Sequence, residues 1–141
     1  MDSHKPNNKE NLTIAVLSMI LLAFSCNDHV IPASELSFKT LPFEHVDTTT
    51  IFKIRVDDQG KKPVNEYGIV YTAYFRGVGN HNLDPTVDDS KIKFDTAFML
   101  GINQFGYTKD FINGKTFFYY RAYAILDDGS VIYGNRISLT I

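Results

Sequence analysis

The sequence predicts an all-β protein, a single antiparallel β-sandwich carried behind a short N-terminal signal helix. Three observations predict it. From about residue 36 onward, apolar and polar residues alternate in segments rich in Val, Ile, Thr, Tyr and Phe. Such alternation marks half-buried strands, and no capped 3.6-residue pattern competes with it. Clusters of Gly, Pro and Asp then punctuate these segments at turn spacing. Finally, an uncharged apolar run stands apart at the N-terminus and ends at the only cysteine, Cys26.

That N-terminal run, Leu12 to Ser25, is 14 residues long. A membrane-spanning helix needs about 20 apolar residues, so the run fits the h-region of a signal peptide better than a span. Ala23 and Ser25 place small residues at minus three and minus one from Cys26. The pattern resembles the lipobox of bacterial lipoproteins. In that family the cysteine thiol is diacylated, the signal is cut before it, and several acyl chains together anchor stably where one would not. The boundaries expected are a signal peptide over 1–25, a lipidated cysteine and tether over 26–35, and the sandwich over 36–141. A single cysteine allows no intrachain disulfide. A domain of about 115 residues buries roughly two thirds of its unfolded surface and needs none.

The strands follow in order. Leu36 to Leu41 is the first, with Leu36 and Phe38 on one face. Thr50 to Val56 sets Phe52, Ile54 and Val56 against Ile51, Lys53 and Arg55. The turn Asp57-Asp58-Gln59-Gly60-Lys61-Lys62-Pro63 leads to Val64 to Ala73, with Tyr67, Ile69 and Tyr71 on one face. A polar loop over Arg76 to Pro85 precedes two further strands, Lys91 to Leu100 and Gln104 to Lys109, broken near Gly101. Thr116 to Leu126 is the strongest strand, and Asp128-Gly129 is a hairpin turn. Val131 to Ile141 returns antiparallel. About seven strands at this spacing imply an immunoglobulin-like sandwich or a barrel.

Within Val64 to Thr140 a set of short motifs stands out. They are Glu66-Tyr67-Gly68-Ile69-Val70-Tyr71, Asp84-Pro85-Thr86, the strand Thr116-Phe117-Phe118-Tyr119-Tyr120-Arg121-Ala122-Tyr123-Ala124, and Tyr133-Gly134. Together they resemble a fibronectin type III-like domain common in lipoproteins of Bacteroidota-type bacteria. The resemblance implies an outer-membrane address and a role as binding module, spacer or adhesion unit, not an enzyme. Two departures have structural consequences. The family's corner tyrosine falls on Phe118, so packing or a neighbouring side chain must hold that corner. Lys109 occupies a usually apolar position, where its stem can lie along the surface with the ammonium in water.

Composition excludes some functions. A net charge of -2 and 44% hydrophobic residues describe a globular domain without the basic stripe of a nucleic-acid binder. The outward face of the strongest strand would carry Phe117, Tyr119, Arg121 and Tyr123. Aromatic rings around an arginine suit sugar or peptide stacking, but cross-strand packing builds the same ladder. Acidic pairs at Asp57-Asp58, Asp88-Asp89 and Asp127-Asp128 occupy predicted turns. The fibronectin-type resemblance implies that these loops lie at one pole of the sandwich, where they would suit calcium, although Asp also favours turns for local backbone bonding. The histidines, His4, His29, His45 and His81, lack ligand spacing, and no nucleophile elbow occurs. No catalytic residue, metal or cofactor is therefore expected.

The expected function is a lipid-anchored envelope module that meets a protein partner or has an adhesion-type structural role. The alternative is a carbohydrate-binding accessory lipoprotein of a glycan uptake system. Only Asp28 supplies an acidic residue just after Cys26, which leaves both faces of the outer membrane open.

Overall fold

The computed structural model describes residues 34–108 and 114–140, which form eight strands. The signal segment, Cys26, nearly all of the tether and Lys109 lie outside the described residues. The strands are β1 (Ser37–Val46), β2 (Thr49–Asp58), β3 (Val64–Tyr74), β4 (Ser90–Lys93), β5 (Gly101–Tyr107), β6 (Phe117–Leu126), β7 (Val131–Tyr133) and β8 (Ile137–Thr140). One sheet has the order β1-β2-β5 and the other β4-β3-β6-β7, with β8 also pairing β6. All pairings are antiparallel. The fold is an immunoglobulin-like β-sandwich, as the alternation predicts.

The inner faces are the ones the pattern marks. Phe52, Ile54 and Val56 of β2 are buried, with Tyr67 and Ile69 of β3 and Phe118, Tyr120, Ala122 and Ala124 of β6. Aromatic rings dominate the contact. Phe52 meets Tyr120 edge-on at 5.7 Å, Phe43 meets Phe52 at 5.7 Å, and Phe118 stacks on Tyr120 at 5.3 Å. These geometries add to simple area burial.

Phe118 has no hydroxyl, but Tyr120, two residues on, makes a bridge between the sheets. The β1–β2 ladder slips between Leu41 and Glu44, around Pro42, which has no N–H to offer. Tyr120 reaches across from the other sheet and repairs the gap. Its hydroxyl accepts the Phe43 N–H at 3.1 Å and donates to the Leu41 carbonyl at 3.3 Å. Burial pushes this phenol up to about 12, the Phe43 amide only partly offsetting it. A second repair lies nearby. Thr40 Oγ1 accepts the Ala122 N–H at 2.8 Å, while Asn135 Oδ1 accepts the Thr40 N–H at 2.9 Å. Gly134 must be glycine here, since a Cβ would fall 2.9 Å from Thr40 Oγ1 and 3.2 Å from its backbone nitrogen.

Several expected strands differ from the structure, the first of them, Leu36 to Leu41, running on past Pro42 to Val46. Lys91 to Leu100 is a strand only to Lys93, because the chain then crosses from one sheet to the other, turning Phe94 and Phe98 inward. Gly101, at φ 89°, begins β5 instead of interrupting a longer strand. The last expected strand is divided at Gly134–Arg136, where Asn135 turns to Thr40 and the pairing with β6 lapses before β8.

Strand direction gives the sandwich two ends. Ser37, the β2–β3 turn, the β6–β7 turn and the start of β5 share the entry end. The β1–β2 turn and the departure of the β3–β4 loop lie at the far end.

Candidate functional site

Alternation along β6 places Phe117, Tyr119, Arg121 and Tyr123 on the face turned away from the core. Their neighbours across the ladder on β3 are Tyr74, Thr72, Val70 and Gly68. On the other side Tyr123 faces Tyr133 of β7, and Tyr119 faces Ser138 of β8. The four residues thus share a face as the sequence implies. They do not, however, form an open platform.

The long β3–β4 loop, residues 75–89, is bonded back onto this face. Thr72 Oγ1 donates to the Asn82 carbonyl at 2.8 Å, and the Asn82 N–H donates to Tyr74 Oη at 2.7 Å. His81 stacks on Tyr74 at 4.4 Å with the rings 8° from parallel, and its Nδ1 shares a 3.3 Å hydrogen bond with Tyr119 Oη. Its Nε2 is buried without a hydrogen-bond partner among the described residues. Arg121 Nε donates to the Pro85 carbonyl at 2.6 Å, and its guanidinium lies 4.0 Å over the Tyr133 ring. Tyr133 Oη in turn accepts the Val87 N–H at 3.0 Å. Within the loop, Asp89 caps Thr86 and binds Asn82. Pro85 and Val70 are fully buried although neither belongs to the core between the sheets.

Tyr123 is the clearest departure from expectation, with 0% of its surface exposed. Its hydroxyl donates to Glu66 Oε1 at 2.9 Å, and Lys91 and Lys93 pair with the same carboxylate at 3.2 and 3.4 Å. Burial pushes Glu66 up, but the bonds from Tyr123 and the two lysines outweigh it and hold the carboxyl below its ordinary value. Burial, and then Glu66 itself, push the Tyr123 phenol upward. No family model, curated protein or solved structure matches the chain.

The face is therefore described by its own chemistry. Glu66, Gly68, Pro85, Arg121, Tyr123 and Tyr133 come from separate stretches that the sequence marks as motifs. The fold brings them side by side on one face, as a Glu66–Tyr123 bond and an Arg121 contact to Pro85 and Tyr133. His81 and Asn82, which add most of the remaining loop contacts, lie in a stretch that reads only as polar loop. The signal available for them was the aromatic run of β6, which needed covering.

The acidic pairs separate. Asp57-Asp58 and Asp127-Asp128 sit at the entry end, whereas Asp88-Asp89 ends the loop from the far end. Each has local partners: Asp57 pairs with Lys39 and Arg55, Asp58 accepts the Gly60 N–H, and Asp128 pairs with Lys62 and caps Ser130. The bonds from Lys62 and Ser130 hold the Asp128 carboxyl well below the usual carboxylate range. Among the described residues no three His, Cys, Asp or Glu side chains group to hold a metal ion. His45 shares a 3.1 Å hydrogen bond with Thr50 at the far end. His4 and His29 lie outside the described residues. An open groove of about 590 Å³ at the entry end is lined in part by Leu36, Lys62, Leu126 and Ile132. Of its charged lining residues, Glu35, Lys61 and Lys62, the last is paired with Asp128.

Proposed function

We propose that the chain is a lipid-anchored lipoprotein of the cell envelope whose fibronectin type III-like sandwich acts as an interaction or structural module and not as an enzyme. The observation that carries the module reading is the outer face of β6, where Tyr123 is fully buried and Phe117, Tyr119 and Arg121 are half-buried. The side chains best suited to grip a ligand are instead engaged in fixing the domain's own loop, which suits a rigid unit that displays its ends and edges. The anchor reading rests on the apolar run before Cys26 and on the small residues Ala23 and Ser25. It is also favoured by a sandwich that needs no disulfide, which leaves the thiol free for acylation. The strand order and the motif residues under the loop favour the fibronectin type III-like assignment. By the resemblance, the membrane is the outer membrane.

Metabolic labelling with a palmitate analogue tests the anchor. The wild type is expected to label and Cys26→Ser to lose the label at unchanged thermal stability. An unlabelled wild type would overturn the anchor. The carbohydrate-binding alternative requires the 75–89 loop to leave the β6 face, because His81 packs against Phe117 and Tyr119 and Pro85 holds Arg121 while it stays. It therefore predicts glycan binding that Arg121→Ala strengthens and Tyr119→Ala weakens; a blank glycan array with both Arg121→Ala and wild-type protein removes it.

A further inference from the structure

In the turn that leads into β5, at the entry end, the usual polarity of a protein surface is inverted. Met99, Leu100 and Ile102 are 61%, 62% and 63% exposed, while the neighbouring polar residue Asn103 is only 6% exposed. The turn that presents them is fixed. Asn103 Oδ1 accepts the Met99 N–H at 3.0 Å, and its Nδ2 donates to the Met99 carbonyl at 2.7 Å. Gln59 Nε2 donates to the Phe98 carbonyl at 2.7 Å, and the Phe98 ring is pinned edge-on between Tyr67 at 5.0 Å and Phe38 at 6.3 Å. Gly101, at φ 89°, lets the chain turn over the asparagine. A buried amide thus holds apolar side chains out toward solvent. Folding alone gives no reason for that, because the same turn with polar side chains at 99, 100 and 102 would keep every one of these bonds.

The position of this tip indicates its partner. Gly101 pairs with Val56 and Phe38 pairs with Val56 from the other side, so the tip and the first described residues flank one end of β2. Two strand spacings, about 10 Å, separate them laterally. Only seven residues, Asn27 to Ala33, lie between Cys26 and Ser34. Fully extended, that stretch spans at most about 28 Å.

We propose that Met99, Leu100 and Ile102 form a membrane-contacting tip that inserts into the headgroup layer of the bilayer holding Cys26; this rests on the lipid-anchor reading. The tether keeps the entry end within reach of the bilayer, so insertion is an intramolecular event and a small apolar tip suffices. The tip then fixes which end of the sandwich faces lipid, leaving the far end, with the β1–β2 turn, directed away. A second copy of the chain is a poorer occupant. Three side chains fall far short of the roughly 800 Å² per partner that a standard interface buries.

The test uses full-length acylated protein in phosphatidylethanolamine–phosphatidylglycerol vesicles containing spin-labelled lipid. Leu100→Cys and Val46→Cys variants carry an environment-sensitive fluorophore; Cys26 is acylated, so only the introduced thiol reacts. Val46 is the far-end control, itself 51% exposed in the β1–β2 turn region. The label at 100 is expected to shift to the blue and to be quenched at least about twofold more than the label at 46, as shallow insertion requires. Equal, weak quenching at both positions in protein shown by mass to be acylated overturns the tip and leaves the anchor standing. A concentration-dependent blue shift at 100 in the Cys26→Ser background without vesicles overturns it in favour of a second copy. Protein shown by mass to carry no acyl chain removes the anchor reading and the tip together.

Discussion

The two faces of β6 are both covered, but by different means. On the inner face Phe118, Tyr120, Ala122 and Ala124 meet the opposite sheet in an aromatic core. On the outer face Phe117, Tyr119 and Arg121 meet a loop held by individual bonds from Thr72, Tyr74, Arg121 and Tyr133, while Tyr123 is bonded to Glu66. The first cover is an extended apolar contact whose stability scales with buried area. The second depends on a few directional contacts, each worth little net, so it opens at lower free energy than the whole domain. One strand therefore carries the global stability on one side and a locally separable element on the other.

The largest expected effect breaks the inner side. Phe118→Ala removes a ring stacked on Tyr120 at 5.3 Å and packed against Phe43 at 6.2 Å. A loss of about 3–5 kcal/mol is expected from urea unfolding, the range for emptying a buried aromatic site. A loss below about 1 kcal/mol would mean that the neighbouring rings collapse into the space, and the inner cover would then be less rigid than its packing implies.

Arg121→Ala breaks the outer side. It removes the 2.6 Å bond to Pro85 and the stack on Tyr133, an interaction class worth about 1.5–3 kcal/mol because the donor is charged. Hydrogen exchange should rise across residues 81–89 while the amides of β2 and β6 keep their protection. Equal acceleration in both regions would show that loop and core unfold together, contrary to the contrast between the faces.

The two covers were unequally legible in the sequence. Period-two alternation requires only local residue types, so the inner faces of β2, β3 and β6 could be read directly. The outer cover depends on where a loop of 15 residues, 75–89, folds back, and nothing local sets that path. Its longest-range fastenings are Arg121 to Pro85, 36 positions apart, and Tyr133 to Val87, 46 apart. The aromatic face therefore looked open. The Tyr120 bridge to the β1 bulge was hidden for the same reason: Pro42 lies just past the expected first strand, and nothing local shows that a side chain 77 positions from Phe43 and 79 from Leu41 bridges the two. At the entry end Met99 and Leu100 read as the end of one strand and Gly101 to Asn103 as the break before the next, and only the fold shows that Asn103 points in while its apolar neighbours point out.

The smallest expected effect refines the outer side by pH. Glu66 ties Tyr123, Lys91 and Lys93 together, and its folded carboxyl titrates below the ordinary 4.5. A carboxyl depressed on folding binds its proton more weakly in the native state than in the unfolded one. Its stabilising contribution is therefore complete above 4.5 and is lost as the pH falls below that through the folded value. The lysine pairs are partly exposed, so at neutral pH Glu66→Gln should cost only about 0.5–1 kcal/mol. The measurement is the stability difference between wild type and Glu66→Gln by urea unfolding, taken from neutral pH down into the acid range. That difference should shrink toward zero as the carboxyl protonates, because the wild type then presents a neutral group in the same place. A difference that stays constant through the acid range would mean that Glu66 acts there by shape and hydrogen bonding alone. The polar cluster on the outer face would then be as insensitive to charge as the aromatic core on the inner one.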